Sequence, residues 1–94
     1  MSEIEVTVFE PGKSGETRSI DDSLEAMQAV VGGYIEQVVF AHGLVIICNE
    51  EGKLHGLPPN RWGLLGTFFV VRQEGAEYAS LNEADKALVV LHIL

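Results

Sequence analysis

The amino-acid sequence predicts an α+β fold: a mostly antiparallel sheet of about five strands with two helices packed on one face, in the order β-β-α-β-β-loop-β-α. Three observations predict it. Apolar residues alternate in some segments and recur at helical spacing in others, β-branched runs are joined by short turns, and two segments open with helix-capping patterns. A chain of 94 residues has length for one core, so residues 1–94 are expected to form a single domain.

The N-terminal segment predicts a β-hairpin. Apolar and polar residues alternate over residues 3–9, which is the period of a half-buried strand. A turn at 11–15 follows, and residues 17–20 can pair back as a second strand. Gly12-Lys13-Ser14 in that turn matches only the end of a phosphate-binding loop, without the upstream glycine or the helix directly after it. A hairpin turn is therefore the better interpretation.

Capping patterns predict where the two helices begin. Asp22 with Glu25 matches a capping box, and Gly32-Gly33 predicts the end of that helix. Ser80 with Glu83 is the capping box of a terminal helix. The predicted apolar faces are Leu24, Met27 and Val31 in the first helix, and Leu81, Ala84, Leu88 and Leu91 in the second.

The middle of the chain predicts three further strands. Residues 34–40 and 44–48 are rich in β-branched and aromatic residues and form a second hairpin. Residues 44–48 are apolar throughout, as expected for a central strand buried on both faces. A polar connection with Pro and Gly follows at 49–66, and residues 67–72 are the last predicted strand.

The C-terminal residues predict self-association. Val89, Val90, Ile93 and Leu94 add apolar surface outside the predicted stripe of the terminal helix, and a β-strand at 89–93 is an alternative. A domain of this size has one core to cover them, so a second copy is the simplest cover. We expect a homo-oligomer, a dimer first, formed through the C-terminal region or a sheet edge.

The net charge limits the kinds of partner expected, and the N-terminal residues predict the cellular compartment. A net charge of −8 repels phosphate backbones, so direct nucleic-acid binding is not expected, although acidic residues could mimic a nucleic acid or simply keep the protein soluble. Met1 to Glu5 shows neither a signal peptide nor a membrane span, which predicts a cytoplasmic protein. Cys48 lies in an apolar run and is expected to be a buried, inert thiol.

No motif predicts a metal site, a cofactor or a catalytic nucleophile. His42, His55 and His92 lack the spacing of metal ligands. The serines are explained by turns and caps, and the Cys48 thiol has apolar neighbours that raise its pKa. A non-enzymatic protein is therefore expected, with an enzyme using Glu50/Glu51 as acid and base the remaining alternative.

The 49–62 loop is the candidate binding segment. Long connections in compact domains are usually functional or disordered. Here Pro58-Pro59 restricts the backbone, and Asn60-Arg61-Trp62 offers an amide, a guanidinium and an indole, of which Arg suits an anion and Trp a stacking partner. The candidate ligand-binding residues are Asn49, Glu51, Lys53, Pro58, Asn60, Arg61 and Trp62. In the competing interpretation Leu54, Leu57 and Trp62 fold back to plug the core.

A family resemblance adds a biological context. Its blocks are Leu24 to Gln28, Gly32 to Glu36, Ile47 to Lys53, Gly56 to Arg61, and Gly66 to Phe68. In order and spacing these resemble a family of small proteins and domains of unknown function encoded largely by phages, plasmids and other bacterial mobile elements. The segment between Arg61 and Gly66 is short compared with that pattern. The resemblance implies no activity, only that small accessory proteins of this kind act by binding.

Three functional hypotheses follow. The first is a binding protein that uses the 49–62 loop to sequester a small anionic, nucleotide-like ligand or to cap a host protein. The second is an acidic nucleic-acid mimic that inhibits a DNA-binding defence protein of the host. The third is the small enzyme that uses Glu50 and Glu51.

Overall fold

The computed structural model describes residues 2–93, with the side chains of all but Ile93. The elements are β1 (Glu3–Phe9), β2 (Glu16–Asp21), α1 (Leu24–Val31), β3 (Ile35–Ala41), β4 (Leu44–Asn49), β5 (Phe68–Glu74), β6 (Glu77–Ala79) and α2 (Glu83–Ile93), with a short 3-10 turn at Arg61–Gly63. The predicted α+β class, with a mostly antiparallel sheet, is confirmed.

All strands form one antiparallel sheet in the order β2-β1-β5-β4-β3. Strand β6 was not predicted, because three residues are too short to show a period; it pairs with the end of β5. The predicted central strand is β4, and all six of its residues are buried. Thr7↔Val70 pairing sets β1 beside β5, which brings the β1–β2 turn and the end of the 49–62 loop to the same end of the sheet.

The two helices pack on opposite faces of the sheet, so the expectation that both lie on one face is wrong. Met27 of α1 packs with Val45 and Phe69. Val89 of α2 packs with the alternate residues of the same strands, such as Ile46 and Val70. Since successive strand residues point to opposite faces, the two core clusters lie on either side of the sheet. A strand buried on both faces is what the uninterrupted apolar run of β4 requires.

Both helices are capped later than predicted, α1 by one residue and α2 by two. Ser23, and not Asp22, is the N-cap of α1, and its Oγ accepts the Ala26 N–H. At α2 the capping pair is Asn82 with Asp85, each side chain accepting the other's backbone N–H. Ser80 Oγ instead accepts the Glu5 N–H and ties the entry of α2 to β1. Ser and Asn are both strong N-cap residues, so neighbouring candidates compete.

The buried face of α2 also differs from the predicted stripe. Asp85 and Val89, one turn apart, are buried, whereas Ala84 is exposed and Leu91 is 70% exposed. The Arg72 guanidinium binds both carboxylate oxygens of Asp85, at 2.8 and 2.5 Å, so an ion pair takes a place where an apolar residue was expected. Leu94 and the side chain of Ile93, which belong to the predicted self-association surface, lie outside the described part of the chain.

Candidate anion-binding cleft in the 49–62 loop

The 49–62 loop is compact and held by its own hydrogen bonds. Asn49 is buried at its start, where Nδ2 donates to the Val31 carbonyl at the end of α1 and Oδ1 accepts the Glu51 N–H at 2.7 Å. Further along, the Leu57 N–H donates to the Gly52 carbonyl. Asn49 therefore connects the helix to the loop, and its amide has both ends occupied by the protein itself.

Asn60 anchors the other end of the loop. Its Nδ2 donates to the carbonyls of Phe9 at 2.9 Å and Gly66 at 2.7 Å, and its Oδ1 accepts the Arg61 N–H at 2.8 Å. The Asn60 N–H donates to the Leu64 carbonyl, which closes the 3-10 turn. The amide thus fastens the turn to the last residue of β1 and sets the position of the next side chain, Arg61.

Trp62 has the left-handed backbone conformation, with φ 58°. A bulky residue seldom adopts this conformation, and such backbone strain concentrates at functional sites. The indole packs on three phenylalanine rings, with centroids 5.8 Å from Phe9, 5.1 Å from Phe40 and 5.4 Å from Phe68, yet stays 40% exposed.

The core-plug interpretation therefore describes only part of the loop. Trp62 covers one end of the core while keeping part of its ring open to solvent. Leu57 is half-buried, but Leu54 is 78% exposed. The loop thus contributes both to packing and to the surface, which leaves room for a binding role.

Arg61 lies over the Phe9 ring, with its guanidinium carbon 5.8 Å from the ring centroid. Its Nη2 donates a long bond of 3.4 Å to the Lys13 carbonyl, and its buried Nε finds no hydrogen-bond partner among residues 2–93. Within residues 2–93 the guanidinium forms no ion pair with a carboxylate. A guanidinium carries five N–H donors, so most of its hydrogen-bonding capacity is uncommitted.

A cleft of about 380 Å³ opens at this guanidinium. Its lining residues are Gly12, Lys13, Pro59, Asn60 and Arg61. Pro59 forms an isolated bridge with Leu65, which stiffens one wall. Lys13 and Arg61 give the cleft two cationic side chains, the chemistry that binds an anion.

Most other cations of the described chain are engaged with carboxylates. Arg18 binds Glu10 at 2.6 Å and also Glu16, and Lys86 binds Glu5 at 2.7 Å. Lys13 is only loosely paired, with Nζ 3.5 Å from Glu10. The Arg61 cleft therefore combines an unpaired guanidinium with a weakly paired ammonium in an otherwise acidic protein.

The remaining predicted site residues do not line this cleft. Glu51 Oε1 lies 3.4 Å from His55 Nε2 on the α1 side of the loop. Lys53 lines a separate cavity of about 210 Å³ together with Glu36 and Glu50. Pro58 is exposed and contributes only its carbonyl, which accepts the Gly66 N–H. The structure thus divides the seven candidates between several surfaces.

Sequence reasoning missed Lys13 as a partner of Arg61. The two residues are far apart in the chain and meet only because β1 pairs with β5. The sequence did predict the turn that carries Lys13, between the two strands of the N-terminal hairpin. This turn joins β1 to β2, and Gly12 in it has a φ of 76°. A glycine is suited to that conformation.

Cys48 is buried, as predicted. Its Sγ lies 3.7 Å from the Glu36 carbonyl, and burial, followed by the nearby Glu36 carboxylate, raises the pKa of the thiol. Thiolate is the reactive form, so this environment suppresses nucleophilicity.

No cluster of three or more potential metal ligands occurs among the described residues. In the same part of the chain, neither helix has the length and apolar character needed to cross a bilayer.

These features define a small acidic α+β domain with one cationic cleft. The chain belongs to a family described as a domain of unknown function (DUF3846), whose model matches residues 4–92. No curated protein and no solved structure matches the chain.

Proposed function

We propose that this protein is a non-enzymatic binding protein that holds a small anionic ligand, of the size and charge of a nucleotide, in the Arg61 cleft. The observation that carries the proposal is the Arg61 guanidinium, which is held over Phe9 without a carboxylate partner beside a cleft of about 380 Å³. A guanidinium binds phosphate or carboxylate through paired hydrogen bonds. Lys13 supplies a second positive charge. Trp62 lines a separate cavity with Phe40 and His92, so it is not part of this cleft.

Binding, as opposed to catalysis, is supported by the chemistry of the cleft. Its five lining residues include no Ser, Cys, His, Asp or Glu. Lys13, the one amine, is 69% exposed and loosely paired with Glu10, unlike the desolvated lysines that act as nucleophiles. The Asn60 amide is already engaged with two carbonyls. These groups suit the cleft to holding an anion and not to activating a nucleophile.

The biological setting belongs to the same proposal. The resemblance described above favours an accessory protein of a phage or another mobile element, acting in the bacterial cytoplasm. Self-association is supported by Val90 and Leu91 of α2, which are 55% and 70% exposed, because exposed apolar surface is commonly covered by another copy. Light scattering at micromolar concentration should give the mass of a dimer. The mass of a monomer would contradict the proposed self-association.

The test is isothermal titration calorimetry at low ionic strength with inorganic pyrophosphate and ADP as probes. We expect at least one probe to bind, and Arg61→Ala to weaken it at least about tenfold, the effect of one charge-assisted hydrogen bond. Arg61→Lys should recover only part of the affinity, because an ammonium lacks the fork of donors.

Lys53→Ala is the matched control. It removes the same charge from the same loop at a residue outside the cleft, so it should leave the affinity within about twofold of wild type. Equal losses in Arg61→Ala and Lys53→Ala would indicate general electrostatics and contradict a built site. Salt-sensitive capture of a basic DNA-binding protein, with no anion bound, would favour the nucleic-acid mimic.

A further inference from the structure

A second and larger cleft lies between α1 and the 49–62 loop, away from the Arg61 cleft. It measures about 560 Å³. Its lining residues are Glu25, Gln28, Ala29, Gly32, Gly33, Tyr34, Glu51 and His55. Four of them follow helical spacing along one side of α1, and Glu51 and His55 form the opposite wall. We call this the α1 cleft.

The electrostatics of the α1 cleft are opposite to those of the Arg61 cleft. Glu25 and Glu51 place a carboxylate on each wall, and no lysine or arginine lines it. Neither carboxylate pairs with a lysine or arginine in the described chain, and the Glu51 carboxylate there pairs only with the His55 imidazole, at 3.4 Å. The C-terminal end of α1 closes the cleft, and its last turn contains no basic residue, so no side-chain cation offsets the negative pole of the helix dipole there.

An aromatic ring completes the lining. Tyr34 is 65% exposed, although it lies between the Gly32-Gly33 end of α1 and the first residue of β3. The face of a tyrosine ring attracts organic cations as well as apolar groups. Two carboxylates and an aromatic ring lining one cleft suit an ammonium or guanidinium on an aliphatic stem, whereas a hydrated metal ion would gain nothing from the ring.

The walls of the α1 cleft are held in place by the buried Asn49. Its amide joins the Val31 carbonyl, at the end of α1, to the Glu51 N–H. The Glu50 N–H donates to the Tyr34 carbonyl at 2.8 Å, which connects the loop to the aromatic residue. A Cβ on Gly33 would lie 2.9 Å from Asn49 Nδ2, so a side chain there would push these parts aside. The arrangement is therefore preorganised by Asn49, which does not itself line the cleft.

We propose that the α1 cleft binds an organic cation that carries a primary ammonium or guanidinium group on an aliphatic chain, between Glu25 and Glu51 and against Tyr34. Two sources share this chemistry: a free polyamine or amino-guanidine, and a lysine or arginine side chain of a protein segment. The site is independent of the Arg61 cleft, since the two share no lining residue.

The experiment titrates the protein at pH 8 and low ionic strength, where imidazoles are ordinarily neutral, with spermidine, agmatine and a terminally blocked Gly-Lys-Gly-Arg-Gly peptide. Binding is followed by amide chemical shifts and by calorimetry. We expect the largest chemical-shift changes at the amides of Tyr34 and Glu51. Tighter binding of spermidine or agmatine would identify a free organic cation as the ligand, and tighter binding of the peptide would identify a protein side chain. Glu51→Gln and Glu25→Gln should each weaken binding at least about fivefold, and Tyr34→Leu about two- to fivefold.

Glu50→Gln is the control, because it removes one negative charge next to Glu51 from a side chain that does not line the α1 cleft. A specific site predicts a change below about twofold for this variant. If Glu50→Gln and Glu51→Gln weaken binding equally, the cations respond only to net charge and the proposal is wrong. It is also wrong if neither the free cations nor the peptide bind below about 1 mM. Arg61→Ala should leave cation binding intact, so failure of one cleft does not imply failure of the other.

Discussion

Exchanging the Asn60 amide for an isosteric carboxylate should destabilise the protein more than deleting the side chain. The amide nitrogen donates to two carbonyl oxygens, at 2.9 and 2.7 Å, and the amide oxygen accepts one N–H at 2.8 Å. In Asn60→Asp an acceptor replaces the donor and faces both carbonyls at the same separation. Asn60→Ala only removes the three bonds.

The three bonds set the expected size of the effect. At about 1 kcal/mol net for each, with some penalty for the carbonyls left without a partner, Asn60→Ala should cost about 2–4 kcal/mol of unfolding free energy. A domain of this length has a total of roughly 5–14 kcal/mol. The midpoint of thermal unfolding should therefore fall by roughly 10–30 °C, and further for Asn60→Asp.

The pH dependence separates repulsion from simple loss of contacts. Facing two carbonyl oxygens raises the folded-state pKa of the new carboxyl above its unfolded value of about 3.9. The folded state then binds more protons between these two pKa values, so stability falls as pH rises through that window. Asn60→Asp should approach Asn60→Ala near pH 4 and be the less stable variant at pH 7.

Urea unfolding followed by far-UV circular dichroism measures these free energies, with the fluorescence of Trp62, the single tryptophan, as a second probe. A stable Asn60→Asp that no longer binds anions would refute the reasoning. Asn60 would then face the ligand, as the sequence suggested, and the hydrogen bonds to Phe9 and Gly66 would not hold the loop.

Three further predictions concern the core and α2. The Cys48 thiol, whose pKa is raised by burial and then by a nearby carboxylate, should react with a thiol reagent at neutral pH far more slowly in native than in unfolded protein; equal rates would show that it is accessible. The hydrogen bond from Arg72 is the main cause that lowers the pKa of Asp85 in the folded protein. Asp85 should therefore stabilise the fold above its unfolded pKa of about 4, and this contribution should be lost as pH falls through its lower folded pKa. An Arg72→Met variant whose stability has the wild-type pH dependence would contradict this. Val89→Ala should cost about 1–2 kcal/mol by urea titration and Leu91→Ala less than about 0.5, because only Val89 is buried; the reverse order would restore the stripe expected from the sequence.

The strands were predictable where the sequence alternates or is apolar throughout. The alternation of β1 predicts the burial of its first half, and the uninterrupted apolar run of β4 predicts that of the whole strand; the end of β1, Thr7 to Phe9, is buried on both faces against the predicted pattern. Which face each helix covers was not predictable in the same way. An apolar strand buried on both sides needs cover on two faces, but this requirement appears in no local pattern of α1 or α2. A buried ion pair at Asp85 also replaced an apolar contact that periodicity favoured.

The candidate site was predictable as a loop but not as a geometry. Arg61 and Trp62 stood out by chemistry, and the structure places Arg61 beside an open cleft. Asn49 and Asn60 have the same side-chain chemistry as ligand-binding amides, yet both serve the scaffold, because nearby carbonyls take their donors. Lys13 came to the cleft through strand pairing between distant segments, which no single-sequence pattern encodes.

Equilibrium dialysis tests the Arg61 cleft most directly, because the ligand need not be identified before the experiment. Wild-type protein, Arg61→Ala and Lys53→Ala would be dialysed against a small-molecule extract of bacterial cells, and the retained compounds identified by mass spectrometry. We predict that wild type and Lys53→Ala retain the same phosphate- or carboxylate-bearing compound and that Arg61→Ala does not. Retention of the same anions by all three proteins, or of none by wild type, would contradict an anion site at Arg61.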